Sequence, residues 1–422
     1  MNECLVRAPK TSDVFNNNIL RANNQVSLKR AETTAILVAF IMYPFTHLYA
    51  YYSAVGVVPR FMDGVFSLIA IITILILGYY FLKLDSQKMH HSTALYIFAF
   101  FMFIFIGIAW VVSHRFFGYG PVASSELTIY YSRIFLYYVM LFLVGFYLRF
   151  DRWGKVFVIF FVIIFISSLY NIRLDRLMIE LRHVVEPAYR GVYLTLSTTA
   201  LFTGLIAWSV IKKSSLRVVI LLVTFVTLFI TGSRADFISY LIVLPLALWM
   251  TMRTTLRFAL LIFSIATIGL FSLIINLDYL LVSRQLQIFG GIEQFTSLLA
   301  RSRLLSVGFD QIISSPILGA YGDTLAELGS IGSYMHNIFS VWQAFGLLPF
   351  LIYVFFVITA LYFSITQIIN KGRTMDQHLQ LIVLVCMIIT VQVLFAKSMG
   401  WFHVALSWGM VAGWWQRENR NR

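Results

Sequence analysis

The sequence predicts an all-α integral membrane protein of about twelve transmembrane helices with one large external loop. Three observations predict it. Hydrophobic residues make up 60% of the 422-residue chain, while only 12% are charged and 17% are aromatic. Apolar runs recur along the chain, most of them near the roughly 20 residues a helix needs to cross the hydrocarbon of a bilayer. Between residues 278 and 336 that series is interrupted by a stretch too polar for lipid. Such a composition departs from soluble norms and excludes a water-soluble globular core.

In chain order, residues 1–30 are polar, carry Asn-rich runs and have no apolar segment of the signal-peptide kind. They are expected to form a disordered cytoplasmic tail, so the first span serves as its own insertion signal. Spans are expected near 32–52, 62–82, 93–113, 130–149, 155–170, 191–211, 217–231, 235–252 and 258–277, giving nine helices in a unit from 31 to 277. The loop 278–336 follows. Three further spans near 337–364, 379–396 and 399–416 complete the unit 337–416, and residues 417–422 form a short tail. Cys4 and Cys386 lie in settings that do not meet, so no disulfide framework is expected.

The formal charge of +14 would point to nucleic acid in a soluble domain. Here the basic residues sit in short clusters between apolar runs, the arrangement that sets membrane topology. Most of the 32 Lys and Arg fall on one side when both termini are cytoplasmic, so the loop 278–336 is expected outside. No nucleic-acid partner is expected.

Several cations break the rule on the outer side. Arg173, Arg176 and Arg182 have Asp175, Glu180 and Glu186 nearby and are expected to be ordinary exposed pairs. Arg190 opens the sixth span, and Arg234 lies in a TGSR turn between two apolar runs. Ionisable groups at such depth are costly unless they face water or a partner, which makes both candidates for a functional site. The plain alternative for Arg234 is a pair with Asp236 or a reach to lipid headgroups. In the loop, Leu298, Leu305, Phe309 and Ile312 fall on one helical stripe together with Arg301, whereas Arg303, Ser306 and Asp310 fall on another face. Pro316 ends that helix, and Gly319, Gly322 and Gly329 permit tight turns. His336, beside Asn337, arrives at the outer mouth of the tenth span with an unperturbed proton affinity suited to base catalysis. His90, His91, His183 and His403 lack such company and are expected to be background.

The order of Arg190 at the start of a span, Thr231 to Arg234 as T-G-S-R, Arg301 with Pro316 and Gly319, and His336 with Asn337 resembles the O-antigen polymerase and O-antigen ligase superfamily. The match is closest over residues 190–365. Such proteins often carry a G-x-x-x-N-P-N-like stretch near the first arginine, which RGVYLTLST lacks. The resemblance implies a GT-C-like, metal-independent, inverting glycosyltransferase without cofactor, in the bacterial inner membrane with its active site facing the periplasm. Its donor would be an oligosaccharide on undecaprenyl diphosphate, and its partners membrane lipid, a flippase and a chain-length regulator.

Arginine forks match phosphate oxygens. Arg190, Arg234 and Arg301 are therefore the expected diphosphate clamp and, with His336 as base or positioning group, the catalytic set, with Arg303 and Asn337 as secondary candidates. No D-x-D triplet occurs, so the usual carboxylate pair for a divalent metal on a nucleotide sugar is missing. Polymerase and ligase share this clamp. The polymerase is favoured because the surroundings of Arg190 are divergent and the chain is aromatic and acid-poor. A transporter or flippase would be expected to show related halves or broken helices, and a non-catalytic assembly protein is the remaining alternative.

Overall fold

A computed structural model describes residues 11–59, 64–84, 89–117, 125–150, 154–173, 178–179, 192–252, 296–328 and 334–421. The elements are helices α1 (Thr11–Phe40), α2 (Thr46–Ala54), α3 (Val65–Leu82), α4 (His91–Phe117), α5 (Ser125–Tyr147), α6 (Gly154–Tyr170), α7 (Val192–Val210), α8 (Ser214–Thr231) and α9 (Arg234–Thr251). They continue as α10 (Thr296–Ser314), α11 (Asp323–Leu328), α12 (Ser340–Phe345), α13 (Leu347–Lys371), α14 (Gln377–Phe395) and α15 (Val404–Asn421). Beyond the helices, the described residues hold one short antiparallel ladder, β1 (Ile172–Arg173) with β2 (Met178–Ile179).

Among the described residues, nine helices are long and apolar enough to cross a membrane, and α6 is a shorter apolar helix. Their outer faces are greasy, with Leu75, Phe105 and Tyr362 about two-thirds exposed. Exposed aliphatic and aromatic faces around a buried interior are what lipid as solvent requires, because lipid tails satisfy those side chains as well as protein does. The chain is a multi-pass α-helical membrane protein.

Several boundaries differ from the sequence reading. Helix α1 begins at Thr11, inside the segment expected to be a disordered tail. Extending a helix is far easier than nucleating one, and the first span supplies the nucleus. The tenth span does not start at residue 337: a loop from Tyr334 leads into the short α12, and α13 follows a break at Gly346. Gly346 takes a positive φ of 80°, and an added Cβ would strike the backbone at Ile317 and Leu318, so only glycine fits. The last span starts later, with a turn over Ser398–His403 ahead of α15. The expected ninth span, residues 258–277, and residues 278–295 of the expected loop lie outside the described residues; α10 and α11 fill much of the remainder.

The first span is interrupted. Pro44 has no N–H to donate and its ring crowds the preceding turn, and the helix widens into a π-turn over Ile41–Phe45. The turn closes with the Thr46 N–H donating to the Ile41 carbonyl. Tyr43 within it is 1% exposed.

At the centre, α15 lies along α5 with its backbone against its neighbour's. A Cβ on Gly409 would strike the Phe142 carbonyl, one on Gly413 the Phe146 carbonyl, and one on Gly145 the Leu406 carbonyl. Gly409 and Gly413 form a small-xxx-small pair, the spacing that lets membrane helices approach closely. Beside this crossing Trp408, fully buried, stacks on Phe356 at 4.6 Å. Gly409→Leu is expected to destabilise the fold by at least the ~1–3 kcal/mol typical of overpacking, seen as a lower melting temperature in detergent, whereas Gly78→Leu, with nothing within 4 Å of a Cβ, should leave it unchanged.

Candidate functional site

The TGSR turn is built by its glycine and its serine. Gly232 closes α8 with φ 77°, donating its N–H to the Phe229 carbonyl, a left-handed cap that favours glycine. Ser233 is the extended N-cap residue of α9, and Arg234 opens the helix, half-buried. Asp236 sits in the first turn, where a negative charge meets the positive end of the helix dipole.

Asp236 is 0% exposed. Its Oδ2 accepts hydrogen bonds from the Ser233 hydroxyl at 2.7 Å and from the Thr198 hydroxyl of α7 at 3.2 Å. Its Oδ1 accepts from Gln392 Nε2 of α14 at 3.0 Å and lies 3.6 Å from the Lys397 ammonium. Gln392 also donates to the Ser239 hydroxyl. Lys397 follows the last turn of α14, its N–H bonded to the Gln392 carbonyl, and its ammonium sits 5.5 Å from the centroid of the Trp401 ring.

The same turn holds the loop that carries His336. The Met399 N–H donates to the Ser340 hydroxyl at 2.8 Å, and that hydroxyl donates to the Asn337 carbonyl at 2.8 Å. Asn337 Oδ1 accepts the Phe339 N–H at 3.1 Å. The Met335 N–H donates to Gln343 Oε1, and Gln343 Nε2 donates to Gln311 Oε1 on α10. The His336 loop is thereby pinned on one side to α10 and on the other to the Lys397 turn. His336 itself is half-buried. Burial, then the positive charges of Arg301 and Lys397, push its proton affinity down to about 4, so the imidazole is neutral at pH 7.

On α10 the buried face carries Gly308, Gln311 and Ile312, while Leu305 and Phe309 are exposed. The expected apolar stripe is therefore corrected: close approach selects a glycine and a glutamine, because a Cβ at position 308 would press on Met335 and Gln343. Arg301 lies seven residues, or about two turns, before Gly308 and so on the same face. It is exposed beyond the packed region, and Arg303, also exposed, is on the opposite face.

Of the residues singled out from sequence, Arg234, Arg301 and His336 lie at one end of the bundle. Lys397 links them, pairing with Asp236 beside Arg234 and acting on His336 together with Arg301. Asn337 shapes the turn. Arg190 and Gly329 lie outside the described residues, as do Arg176 and Arg182 and the side chain of Arg173. Among the described residues no cluster of His, Cys, Asp or Glu is placed to hold a metal ion.

Sequence reasoning missed two groups. Lys397 is absent from the residues expected to act, although a lysine between two spans is itself a signal. His403, expected to be background, lies in the turn before α15 with its Nδ1 3.2 Å from the Tyr43 hydroxyl and its ring against Phe202, Trp401 and Phe402.

Removing one partner of a buried ion pair leaves the other charge uncompensated. Asp236→Ala is expected to cost ~3–5 kcal/mol, and Lys397→Met combined with Asp236→Asn less than Asp236→Ala alone, as measured by detergent melting. Because the folded His336 binds its proton more weakly than the unfolded chain does, its contribution to stability is complete above the unfolded value of about 6.5 and is lost as pH falls through about 4. His336→Gln is expected to flatten that acid dependence of the melting temperature.

No protein-family model matches the chain, and no curated protein matches it in sequence.

Proposed function

We propose that the chain polymerises a surface polysaccharide, transferring a glycan from undecaprenyl diphosphate to a sugar hydroxyl of another lipid-linked repeat unit at the outer face of the bacterial inner membrane. The proposed architecture has twelve spans and a large periplasmic loop over 278–336. A flippase that delivers the donor and a regulator of chain length are the expected partners. The observation that carries the reading is the neutral, half-buried His336 facing the charges of Arg301 and Lys397, at the same end of the bundle as Arg234.

In this mechanism the acceptor hydroxyl oxygen attacks the anomeric carbon, the bond from that carbon to the diphosphate oxygen breaks, and the electron pair leaves with the diphosphate. Arg190, Arg234 and Arg301 hold the departing anion and stabilise the charge that grows on it. The acceptor proton passes to His336. Burial first, and then the charges of Arg301 and Lys397, keep this imidazole a weak base. A bound diphosphate neutralises those charges and raises its basicity by their share, so proton acceptance is coupled to donor binding.

Reconstitution in liposomes with lipid-linked repeat units alone tests the proposal. Lengthening of the glycan is expected; product that forms only when lipid A core is supplied makes the chain a ligase, and no glycan transfer with either acceptor refutes the reading. His336→Ala is expected to lower kcat by ~10²–10⁴-fold, the range for loss of a general base. The acid limb of kcat/KM should fall near pH 4, and that of kcat at higher pH, because the first reports the free enzyme and the second the occupied one. Arg301→Ala should move the kcat/KM limb upward by removing one of the charges that depress it.

A further inference from the structure

A second polar site lies at the end of the bundle opposite His336, where α13 ends, α14 begins and α15 runs out. A cavity of about 690 Å³ opens there, lined by Arg149, Lys371 and Arg417 together with His378. Two carboxylates also line it, and both are engaged: Asp376 Oδ1 accepts the Leu379 N–H at 2.8 Å, capping α14. Glu418 lies 3.5 Å from the Lys371 ammonium and accepts the Trp414 Nε1–H at 3.1 Å. Among the described lining residues, three cations stand against two carboxylates, so this part of the wall is positive. The N-terminus of α14 adds the positive end of a helix dipole.

His378 adds an independent observation. Its Nε2 lies 3.3 Å from Arg417 Nη2. A guanidinium can only donate, so Nε2 is the acceptor and the ring proton sits on Nδ1. That Nδ1 is buried and has no hydrogen-bond partner among the described residues. A buried N–H without an acceptor is costly, and an anion oxygen in the cavity supplies one.

We propose that this cavity binds a phosphate group, carried either by an anionic lipid headgroup or by a soluble phosphate, held by Arg149, Lys371 and Arg417 with His378 Nδ1–H as a fourth donor. The shared chemistry is a compact oxyanion matched to guanidinium forks and an ammonium. Basic pockets between membrane helices are suited to such headgroups. This inference stands apart from the transferase reading, since no residue of the opposite end takes part.

The test uses the purified full chain in an uncharged detergent, with no glycan transfer measured. Inorganic phosphate is titrated by calorimetry, and phosphatidic acid is compared with phosphatidylcholine by native mass spectrometry. One equivalent of phosphate or of phosphatidic acid is expected to bind. Retention of phosphatidic acid without affinity for inorganic phosphate identifies a headgroup site, and the reverse identifies a soluble ligand. Lys371→Gln and Arg149→Gln should each weaken binding about tenfold or more, while Glu418→Gln, which removes a competing carboxylate, should tighten it several-fold. A merely structural disturbance would not tighten binding. Lys371 is partly exposed and its substitution is suited to a folded control, verified by an unchanged melting temperature. The proposal is overturned if neither probe binds, if phosphatidic acid is retained no better than phosphatidylcholine with no phosphate binding, or if well-folded Lys371→Gln and Arg149→Gln bind as the parent does.

Discussion

The arrangement of the His336 end depends on one buried carboxylate. Asp236 has left water entirely, a transfer that costs several kcal/mol for a charged group unless partners replace the lost hydration. Its two oxygens are met by Ser233, Thr198, Gln392 and Lys397. Those partners belong to the TGSR turn, to α7, to α14 and to the turn after α14. The requirement to satisfy one anion thus fixes four segments in register. Arg234, two residues before Asp236, has its backbone fixed by the same requirement. The His336 loop joins this frame through Met399 and Ser340.

The two ends of the bundle handle charge differently. At the His336 end, the carboxylate is buried and the imidazole is kept neutral by burial and by the adjacent cations. At the opposite end, Arg217 lies over the Trp208 ring at 4.0 Å and donates to Gln380, and Arg373 bonds the Trp249 carbonyl at the end of α9. There, aromatic faces, a glutamine side chain and a helix carbonyl meet the cations, and the carboxylates stay at the cavity wall. This asymmetry follows the bias of Lys and Arg toward one side that the sequence displays.

Span positions were legible because a long apolar run between polar connections has few alternatives in lipid: α3, α7, α9 and α14 start and stop within a few residues of expectation. What failed was local. The helix α12, the break at Gly346 and the turn at Ser398 are short and lie directly beside long apolar runs, so a window the length of a span averages over them. At the site, Arg234 was legible because a charge between apolar flanks demands an explanation. The bond from Asp236 to Lys397 was not, because the pairing joins distant parts of the chain. By residue spacing Arg301 falls on the face set by the Gly308 approach, and not on one set by Leu305 and Phe309, which are exposed.

The π-turn at Ile41–Phe45 gives the first span two phases. A helix advances about 100° per residue, so the extra residue in the widened turn rotates everything after it against everything before. Before the turn, Ala31, Ala35 and Ala39, all with no exposed surface, offer a ladder of small side chains in a helix packed on α3 and α5. After it, His47 meets Thr199 on α7. Losing a single residue there would leave the apolar character of the span untouched, yet would swing one half out of its seat. The length of this segment is therefore as tightly constrained as its chemistry.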